Sequence, residues 1–332
     1  METRRVQLIG GSTYVVSLPK KWVMESDVKK KSEIGLVEQS SGYLVVIPKP
    51  EDLEHQVEGV VKVRNGDDKK YISRSIIARY LNGCDVIRII SKDRLEVAQI
   101  EEIKSTTRKL IGLETIEENS NEISLHSLLN LEELEILKGI KRAHAIASSM
   151  QSDAIKALEQ GDPELARSAV QRDSDVDRLY FLTLRQLRLA CINPDLSNRL
   201  GLAPINCLDY ELVIKRIEHI ADHAERMAGH VLDLANMEVN NGIVSGLVDV
   251  NNDSLEIHKG AMDALFTGNV ELANEVIDLR DGIRDKRAGI GEHLADESVV
   301  VNIKVNAMLD STERIADYGT DIAEVAINQS QD

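Results

Sequence analysis

The chain carries the same acidic pattern in two places. Residues 218–222 read Glu-His-Ile-Ala-Asp, and residues 313–317 read Glu-Arg-Ile-Ala-Asp. Each copy lies in a segment whose apolar residues recur every three or four positions, which predicts a helix packed in a bundle. The two acids of each copy lie on one face of that helix, where carboxylates repel unless a cation or water separates them. The repetition predicts a helical body with a duplicated acidic face.

The duplication extends beyond this pattern. An earlier stretch recurs at constant spacing, with Ala154, Ala157, Leu158, Gly161, Glu164, Leu165 and Ala166 matching Ala261, Ala264, Leu265, Gly268, Glu271, Leu272 and Ala273. Such self-similarity indicates duplicated supersecondary units. The sequence separation between these matching residues is larger than the separation between the two acidic patterns. The loop between the two features must therefore be shorter in the second unit. Loops accommodate such changes at little cost.

From Leu131 onward, the pattern predicts two units of three helices each. The helices of the first unit are expected at 131–160, about 163–190 and about 209–237, and those of the second at about 252–266, 270–294 and 298–328. Between the first two helices, Gly161 ends one helix, Asp162 caps the next, and Pro163 suits its first position. The expected architecture is two three-helix bundles, at residues 129–238 and 250–330.

Residues 1–50 predict a small β head. Short strands flank Gly10-Gly11 and the Ser-Ser-Gly stretch at 40–42, with a helical turn between the two hairpins. So short a segment buries too little apolar area to be stable alone, which favours a homodimer that shares one core. We interpret Trp22 as an anchor of that core rather than as a stacking surface. The expected fold class is mainly α with a β N-terminal head.

Residues 51–128 predict a small α+β connecting domain. The order of elements is strand, helix, strand, helix, strand, strand. The segment contains neither a Gly-rich phosphate loop nor a nucleophile with a partner. We interpret it as a spacer or a dimerisation domain.

The formal net charge of -16 is unevenly distributed. Residues 1–50 hold eight Lys or Arg and five Asp or Glu, so the head is basic and the remainder is strongly acidic. This distribution predicts that a polyanion binds the head and that a cation binds the body.

Cysteine usage and hydropathy predict a cytoplasmic protein. Cys84, Cys191 and Cys207 show no CxxC spacing, which argues against a disulfide framework or a zinc site and suits a reducing compartment. No apolar run approaches the roughly 20 residues that cross a bilayer, and no apolar signal segment begins the chain. We therefore expect no membrane insertion, although docking on a membrane protein stays open.

Four acids of the first unit are candidate metal ligands. Asp173 and Asp177 are also four residues apart, on the helix before the one that carries Glu218 and Asp222. Carboxylates on adjacent helices favour hard or borderline cations such as iron, manganese or magnesium, and zinc less so. Two histidines one turn apart beside these acids, at 219 and 223, could act as ligands. We assign His219 and His223 instead to surface or supporting roles.

The second unit matches the first only in part. Its third helix carries acids every three or four residues, and these are further candidate metal ligands, namely Glu313, Asp317, Asp321 and Glu324. In the first unit, Arg226 and Gly229 replace the last two of these acids. On the second helix of the second unit, the repeat places Arg280 and Arg284 opposite Asp173 and Asp177, with Asp281 and Asp285 one position away. Either a one-residue slip restores the acids, or the arginines neutralise the site.

The tandem units and their acidic motifs resemble the PhoU family of phosphate-transport regulators. The resemblance covers residues 131–328. It implies that the E/D-x-x-x-D motifs bind iron, zinc or another divalent metal cluster. It also implies that the protein senses phosphate through the ATPase of a phosphate ABC transporter or through a sensor kinase.

The head resembles the SpoVT-AbrB family of swapped-hairpin DNA-binding domains. The resemblance lies in Gly-Ser-Thr-Tyr-Val-Val-Ser-Leu-Pro-Lys-Lys at 11–21 and in the following Lys-Lys-Lys-Ser-Glu at 29–33. It implies phosphate contacts by Arg4, Arg5, Lys20 and Lys21, with Lys29, Lys30 and Lys31 nearer the rim. A basic head on PhoU-like units is typical of an archaeal-type DNA-binding regulator. A dimerisation module with an ordinary basic surface is the alternative for this head.

Two other functions stay open at this point. A carboxylate-bridged di-metal oxidase of ferritin-like type also builds its site in a helical bundle, but such sites normally use Glu-x-x-His, and no histidine here has a Glu three positions before it. A dimeric scaffold without metal would need no more than solvated acids. No catalytic arrangement is recognised, so we expect a protein that is not an enzyme.

Overall fold

A computed structural model describes residues 2–39, 42–53, 56–130 and 134–330. Strands occur in the first part of the chain, and the part from Ile136 onward is helical. The predicted fold class, mainly α with a β head, is confirmed.

The head consists of two antiparallel hairpins with a short helix between them. Strand β1 (Gln7–Ile9) pairs with β2 (Thr13–Val15), helix α1 spans Lys20–Glu25, and β3 (Gly35–Glu38) pairs with β4 (Leu44–Ile47). A 3-10 turn follows at Pro50–Leu53. No described residue of the head is buried, and Trp22 itself is only half-buried. Large apolar side chains are instead exposed, among them Leu8, Tyr14, Leu36, Tyr43 and Leu44.

The middle domain is a four-stranded mixed sheet packed against two helices. Its elements are β5 (Glu58–Val63), α2 (Lys69–Leu81), β6 (Val86–Ser91), α3 (Val97–Lys109), β7 (Leu113–Glu118) and β8 (Glu122–Ser127). The sheet order is β5-β6-β8-β7, with β5 and β6 parallel and the other pairs antiparallel. Alternate strand residues and the inner faces of both helices form one buried core, and the predicted order of elements is confirmed.

The body contains six long helices and one short helix among the described residues. The first three long helices are α4 (Ile136–Gln160), α5 (Pro163–Ile192) and α7 (Pro204–Leu234), with the short α6 (Pro194–Arg199) before α7. The second three are α8 (Asn241–Thr267), α9 (Val270–Leu294) and α10 (Val299–Gln329). Within the described ranges, none of the helices combines the length and apolar character needed to cross a bilayer.

Helix caps occur where the sequence predicts them. Gly161 adopts a left-handed conformation with φ 64° and ends α4. The carboxylate of Asp162 accepts hydrogen bonds from the backbone amides of Glu164 and Leu165, and Pro163 occupies the first turn of α5. This arrangement satisfies amides that no carbonyl inside the helix can reach.

The prediction that α8 begins near residue 252 was wrong. The helix begins at Asn241, because the side chain of Asn240 caps it and Ile243, Leu247 and Val250 continue the buried face. Gly246 permits this extension, since a Cβ at this position would lie 2.5 Å from Ile290 of α9. Helix α7 also begins earlier than predicted, at Pro204.

The two helical units share one continuous hydrophobic core. Helix α4 packs on α8, and α7 packs on α10, so that contacts between units supplement those within each unit. A buried example is Thr312 of α10, whose hydroxyl lies 3.8 Å from the sulfur of Met227 in α7. The units thus form one body rather than two bundles that touch only through their linker.

Candidate functional site

The four acids predicted for the first unit lie together between α5 and α7. Asp173 and Asp177 project from α5, Glu218 and Asp222 project from α7, and all four are half-buried. Burial, followed by the charges of neighbouring acids that include Asp177, raises the pKa of Asp173 to about 7. Burial and nearby Glu218 also raise the pKa values of Asp177 and Asp222. The two helices therefore bring the predicted residues into one electrostatic cluster.

A fifth acid, Glu225, joins this cluster. Its charge contributes to the raised pKa values of both Asp173 and Asp177. The sequence contains the signal for it, because Glu218, Asp222 and Glu225 follow the spacing of one helix face. The positions that correspond to Asp321 and Glu324 of the second unit are 226 and 229, which hold Arg and Gly.

Few cations oppose these acids. Lys215 forms an ion pair with Glu218, with 2.8 Å between Nζ and Oε2, and Arg226 lies 3.9 Å from Asp222. Lys109, from the end of α3, lowers the pKa of Asp177 against the larger effect of burial. The buried Oδ1 atom of Asp173 accepts no hydrogen bond from any described residue. The cluster thus retains excess negative charge and an unused acceptor, which a cation would satisfy.

No formed metal site is present in the described ranges. Among those residues, no three His, Cys, Asp or Glu side chains lie in an arrangement that could hold a metal ion. Metal binding at the first unit would therefore require these carboxylates to rotate toward a common point.

The corresponding acids of the second unit are paired with arginines. Arg280 of α9 lies 2.6 Å from Asp317, and Arg287 of α9 lies 2.8 Å from Glu313. The sequence left two alternatives open, and the structure agrees with neutralisation of the site by arginines. The arginine that pairs with Glu313 is Arg287, whereas Arg284 is exposed.

Among the remaining acids of the second unit, burial raises the pKa of Asp321, with a lowering effect of Arg216 and smaller raising effects of Glu324 and Asp317. Asp281 and Asp285 are exposed, as is Glu324. Asp321 forms an ion pair at 2.8 Å with Arg216 of α7, which links the two units. The units therefore share a helical plan but differ in the charge environment of their acids.

His219 and His223 pack against a tyrosine between the units. The ring centroids of the two histidines lie 5.0 Å and 5.8 Å from that of Tyr318 in α10. Burial lowers the pKa of His219, and it lowers that of His223 to about 4. Both histidines are therefore neutral near pH 7. The buried Nδ1 atom of each has no hydrogen-bond partner among the residues that the structure describes.

Comparison with known proteins identifies the family of the helical body. A profile of the PhoU domain matches residues 140–231 and 247–326, which together make up more than half of the chain. The chain belongs to the PhoU family. The first and second units described above correspond to the two matched PhoU segments.

Two curated PhoU relatives resemble part of the chain. The phosphate-specific transport system accessory protein PhoU homolog of Pseudomonas aeruginosa is 27% identical over 154 residues, which are 45% of this chain and 61% of that protein. The protein of the same description from Pseudomonas putida is 26% identical over 153 residues, which are 45% of this chain and 57% of that protein. The chain thus spans about three fifths of the length of these PhoU relatives.

A solved structure supports the fold of the PhoU repeats. The crystal structure of PhoU from Pseudomonas aeruginosa superposes with a TM-score of 0.54 at 17% identity, covering 61% of this chain and 98% of that one. At this identity, the likeness concerns the fold alone.

The head matches a second family, described as antidote-toxin recognition MazE, bacterial antitoxin, over residues 7–54. The seven side chains predicted to contact DNA lie here or just before it, and all are exposed. Arg4 pairs with Glu2, Lys21 lies 3.8 Å from Glu25, and Lys29 lies 3.2 Å from Asp27. Such exposed pairs are weak and open readily, so they leave the cations available to a phosphate backbone.

Proposed function

We propose that this chain regulates phosphate uptake by coupling PhoU repeats to a DNA-binding head. The observation that carries the proposal is the match of both repeats to the PhoU domain on the same chain as the AbrB-like head. The curated relatives are named as accessory proteins of a phosphate-specific transport system. The repeats would receive the phosphate signal in the cytoplasm from the ATPase of a phosphate ABC transporter or from a sensor kinase.

The head would bind DNA as a homodimer. Its exposed apolar side chains have no core within one chain, and a second copy would cover them and double the basic surface. Arg4, Arg5, Lys20 and Lys21 would meet phosphates, with Lys29, Lys30 and Lys31 nearer the rim. The acidic body would be held away from the DNA by charge repulsion.

The carboxylates of the first repeat would bind a divalent metal ion such as iron, zinc or manganese. Asp173, Asp177, Glu218 and Asp222, joined by Glu225, offer only oxygen ligands and an excess of negative charge. Bound metal would supply positive charge on which an anion or a partner's acidic group could dock. The second repeat is left out of this proposal, because arginines already neutralise Glu313 and Asp317.

Electrophoretic mobility assays on the phosphate-transport promoter of the source organism test the DNA-binding part. We expect the full chain to retard this promoter at low salt and to release it as salt rises. Replacing both Lys20 and Lys21 by Ala should weaken binding about tenfold or more, whereas Lys138→Ala on the body should have no effect. The proposal fails if the protein retards no DNA at low salt and retains no component of a phosphate transporter in pull-down experiments.

Metal analysis of protein purified without chelator or affinity tag tests the metal-binding part. We expect bound divalent metal in the wild type and its loss in the double variant Asp173→Asn, Asp222→Asn. The matched variant Asp317→Asn in the second repeat should retain the metal. Wild-type protein free of metal after incubation with iron, zinc or manganese would favour a scaffold whose acids are only solvated.

A further inference from the structure

A cleft of about 700 Å³ opens in the middle domain, outside both the head and the PhoU repeats. It lies where the parallel strands β5 and β6 end, and its lining includes Lys62, Arg64, Asn65, Ile90, Lys92 and Asp93. In sheets with adjacent parallel strands, ligands bind outside the carboxyl ends of those strands. The size of the cleft is typical of sites for small molecules.

Unpaired cations line this cleft. Lys62, Arg64 and Lys92 are exposed, and their side chains make no ion pair or hydrogen bond with any residue that the structure describes. Lys69 and Lys70 begin α2, directly after the loop that follows β5. Residues 62–70 and 90–96 hold six Lys or Arg and four Asp or Glu, an excess of positive charge in a chain whose net charge is -16. Such an excess attracts anions into the cleft.

Three acids in the loops after β5 and β6 accept hydrogen bonds from backbone amides and do not form ion pairs with these cations. Asp67 accepts from the amide of Arg64 at 2.8 Å, and Asp68 caps α2 by accepting from the amide of Lys70 at 3.1 Å. Glu96, just before α3, accepts from the amide of Gly66 at 3.0 Å. Among the described residues that line the cleft, the acid is Asp93.

The loop that carries Arg64 is held in one conformation. Gly66 adopts a φ of 81°, which suits glycine. The side chain of Gln99, 1% exposed, donates to the carbonyl oxygen of Arg64 at 2.9 Å, and the amide of Asp67 donates to the same oxygen at 3.1 Å. Since both backbone groups of Arg64 are fixed, its side chain is placed at the cleft without a loop-ordering cost on binding.

We propose that this cleft binds a small phosphorylated molecule of nucleotide size. Its phosphates would lie against Arg64, Lys62 and Lys92, with the guanidinium of Arg64 able to make two parallel hydrogen bonds to one phosphate. Its less polar part would lie against Ile90 and the aliphatic stems of the lysines. The middle domain thereby becomes a second input to the regulator, separate from the acids of the PhoU repeats.

Isothermal titration calorimetry of the full chain with ATP, inorganic tripolyphosphate and adenosine tests this proposal. We expect ATP to bind with a Kd below about 1 mM, tripolyphosphate to bind with a higher Kd than ATP, and adenosine not to bind. Arg64→Glu should weaken ATP binding at least about tenfold. The matched variant Arg108→Glu changes the same charge at the far end of α3, roughly 17 Å along the helix, and should bind ATP as the wild type does.

Three outcomes would overturn the proposal. In the first, the wild type does not bind ATP; weaker duplex DNA binding by Arg64→Glu in the mobility assay would then assign the cations to the DNA surface. In the second, Arg64→Glu binds ATP as tightly as the wild type while circular dichroism shows it folded. In the third, Arg64→Glu and Arg108→Glu weaken binding equally.

Discussion

The Nε2 atom of His144 in α4 lies 2.8 Å from the Nδ1 atom of His258 in α8, across the boundary between the two PhoU repeats. The Nε2 atom of His258 lies 2.8 Å from Oε1 of Gln151, and Nε2 of Gln151 donates to Oδ1 of Asn251 at 3.0 Å. His258 must therefore donate from Nε2 and accept at Nδ1, so His144 donates from its own Nε2. This hydrogen-bond network between α4 and α8 fixes the position of one repeat relative to the other.

Gln151→Leu should destabilise the protein by about 2–3 kcal/mol. The substitution preserves much of the side-chain volume but leaves the buried Nε2–H of His258 and Oδ1 of Asn251 without partners, which costs more than the lost hydrogen bonds themselves. Urea denaturation followed by circular dichroism measures the change. Gln160→Leu, at the exposed end of the same helix, is the control and should change the free energy of unfolding by less than about 0.5 kcal/mol. Equal effects of the two variants would show that the network does not stabilise the fold.

Acidification should weaken the protein in part through His144. Burial lowers the pKa of this histidine to about 4, whereas the unfolded chain titrates near the ordinary value of 6.5. Between these values the unfolded state binds more protons, so the stability present at pH 7 is lost as the pH falls toward 4. Comparison with His144→Gln, which retains a donor for His258, isolates this contribution from those of the acids. From pH 7 to pH 5, the wild type should lose on the order of 1 kcal/mol more than the variant. An equal loss in both proteins would contradict this assignment.

Sequence patterns predicted the features that depend on local periodicity and capping. The break between α4 and α5 follows from Gly161, Asp162 and Pro163, and it required no knowledge of distant contacts. The early start of α8 does not follow from local pattern, because glycine lowers helix propensity and the close approach of Gly246 to Ile290 depends on how α8 packs on α9. Local patterns contain no information on such packing.

Local sequence patterns also do not predict which cations contact the acids. The spacing of Asp317 and Glu313 predicts a shared helix face correctly, but it does not tell whether an arginine of α9 reaches each carboxylate. The pairing of Glu313 with Arg287 depends on how α9 packs on α10. Positions in a repeat identify candidate ligands, whereas their neutralisation is decided by tertiary contacts.

Arg185→Met should weaken the attachment of the middle domain to the PhoU repeats. Arg185 of α5 is 1% exposed, and its guanidinium donates to the carbonyl oxygens of Tyr80 and of Cys84, the latter at 3.1 Å. The guanidinium also lies 4.8 Å from the centroid of the Tyr80 ring. Removing these buried charge-assisted bonds should cost about 3 kcal/mol, although the carbonyl oxygen of Tyr80 still accepts from the amide of Gly83 at 3.1 Å.

Limited proteolysis and urea denaturation of the Arg185→Met variant measure this effect. We expect faster cleavage between the middle domain and α4, and two unfolding transitions instead of one. Arg188→Met is the control, since Arg188 is exposed and bonds to Leu81 and Asn82 at the same junction. Its cost should stay below about 1 kcal/mol. A similar loss for both variants would mean that burial of Arg185 adds nothing to the junction.

One cysteine should react much faster than the other two in the native protein. Cys191 is exposed, whereas Cys84 and Cys207 are buried, and burial raises the pKa of Cys207 to about 12. Because the thiolate is the reactive form, a thiol of raised pKa reacts slowly even though Cys207 lines the same cavity as Cys191. Titration with an aromatic disulfide reagent should give one fast thiol in the native state and three in urea. Cys191→Ser should abolish the fast phase, and its persistence would place a second thiol at the surface.

Neutralising one acid in each PhoU repeat should change stability in opposite directions. In chelator-treated protein at pH 8, Asp173 is ionised among other acids, because its raised pKa of about 7 lies below the solution pH. Its folded pKa exceeds the unfolded value, so its contribution to stability is present at low pH and is lost as the pH rises through about 7. Asp173→Asn removes the destabilisation that the ionised carboxylate causes at high pH. After allowance for screening by solvent, the variant should be more stable than the wild type by about 1 kcal/mol at pH 8 and equal to it near pH 4.

Asp317→Asn in the second repeat should instead lower the free energy of unfolding at pH 8 by about 1 kcal/mol, because it leaves the half-buried Arg280 without its partner at 2.6 Å. Thermal unfolding at both pH values measures the two variants side by side. If both substitutions stabilise the protein, the arginines of α9 do not compensate the acids of the second repeat. If both destabilise it, the acids of the first repeat are already neutralised without a metal ion, and the cation proposed for that cluster has no unbalanced charge to bind.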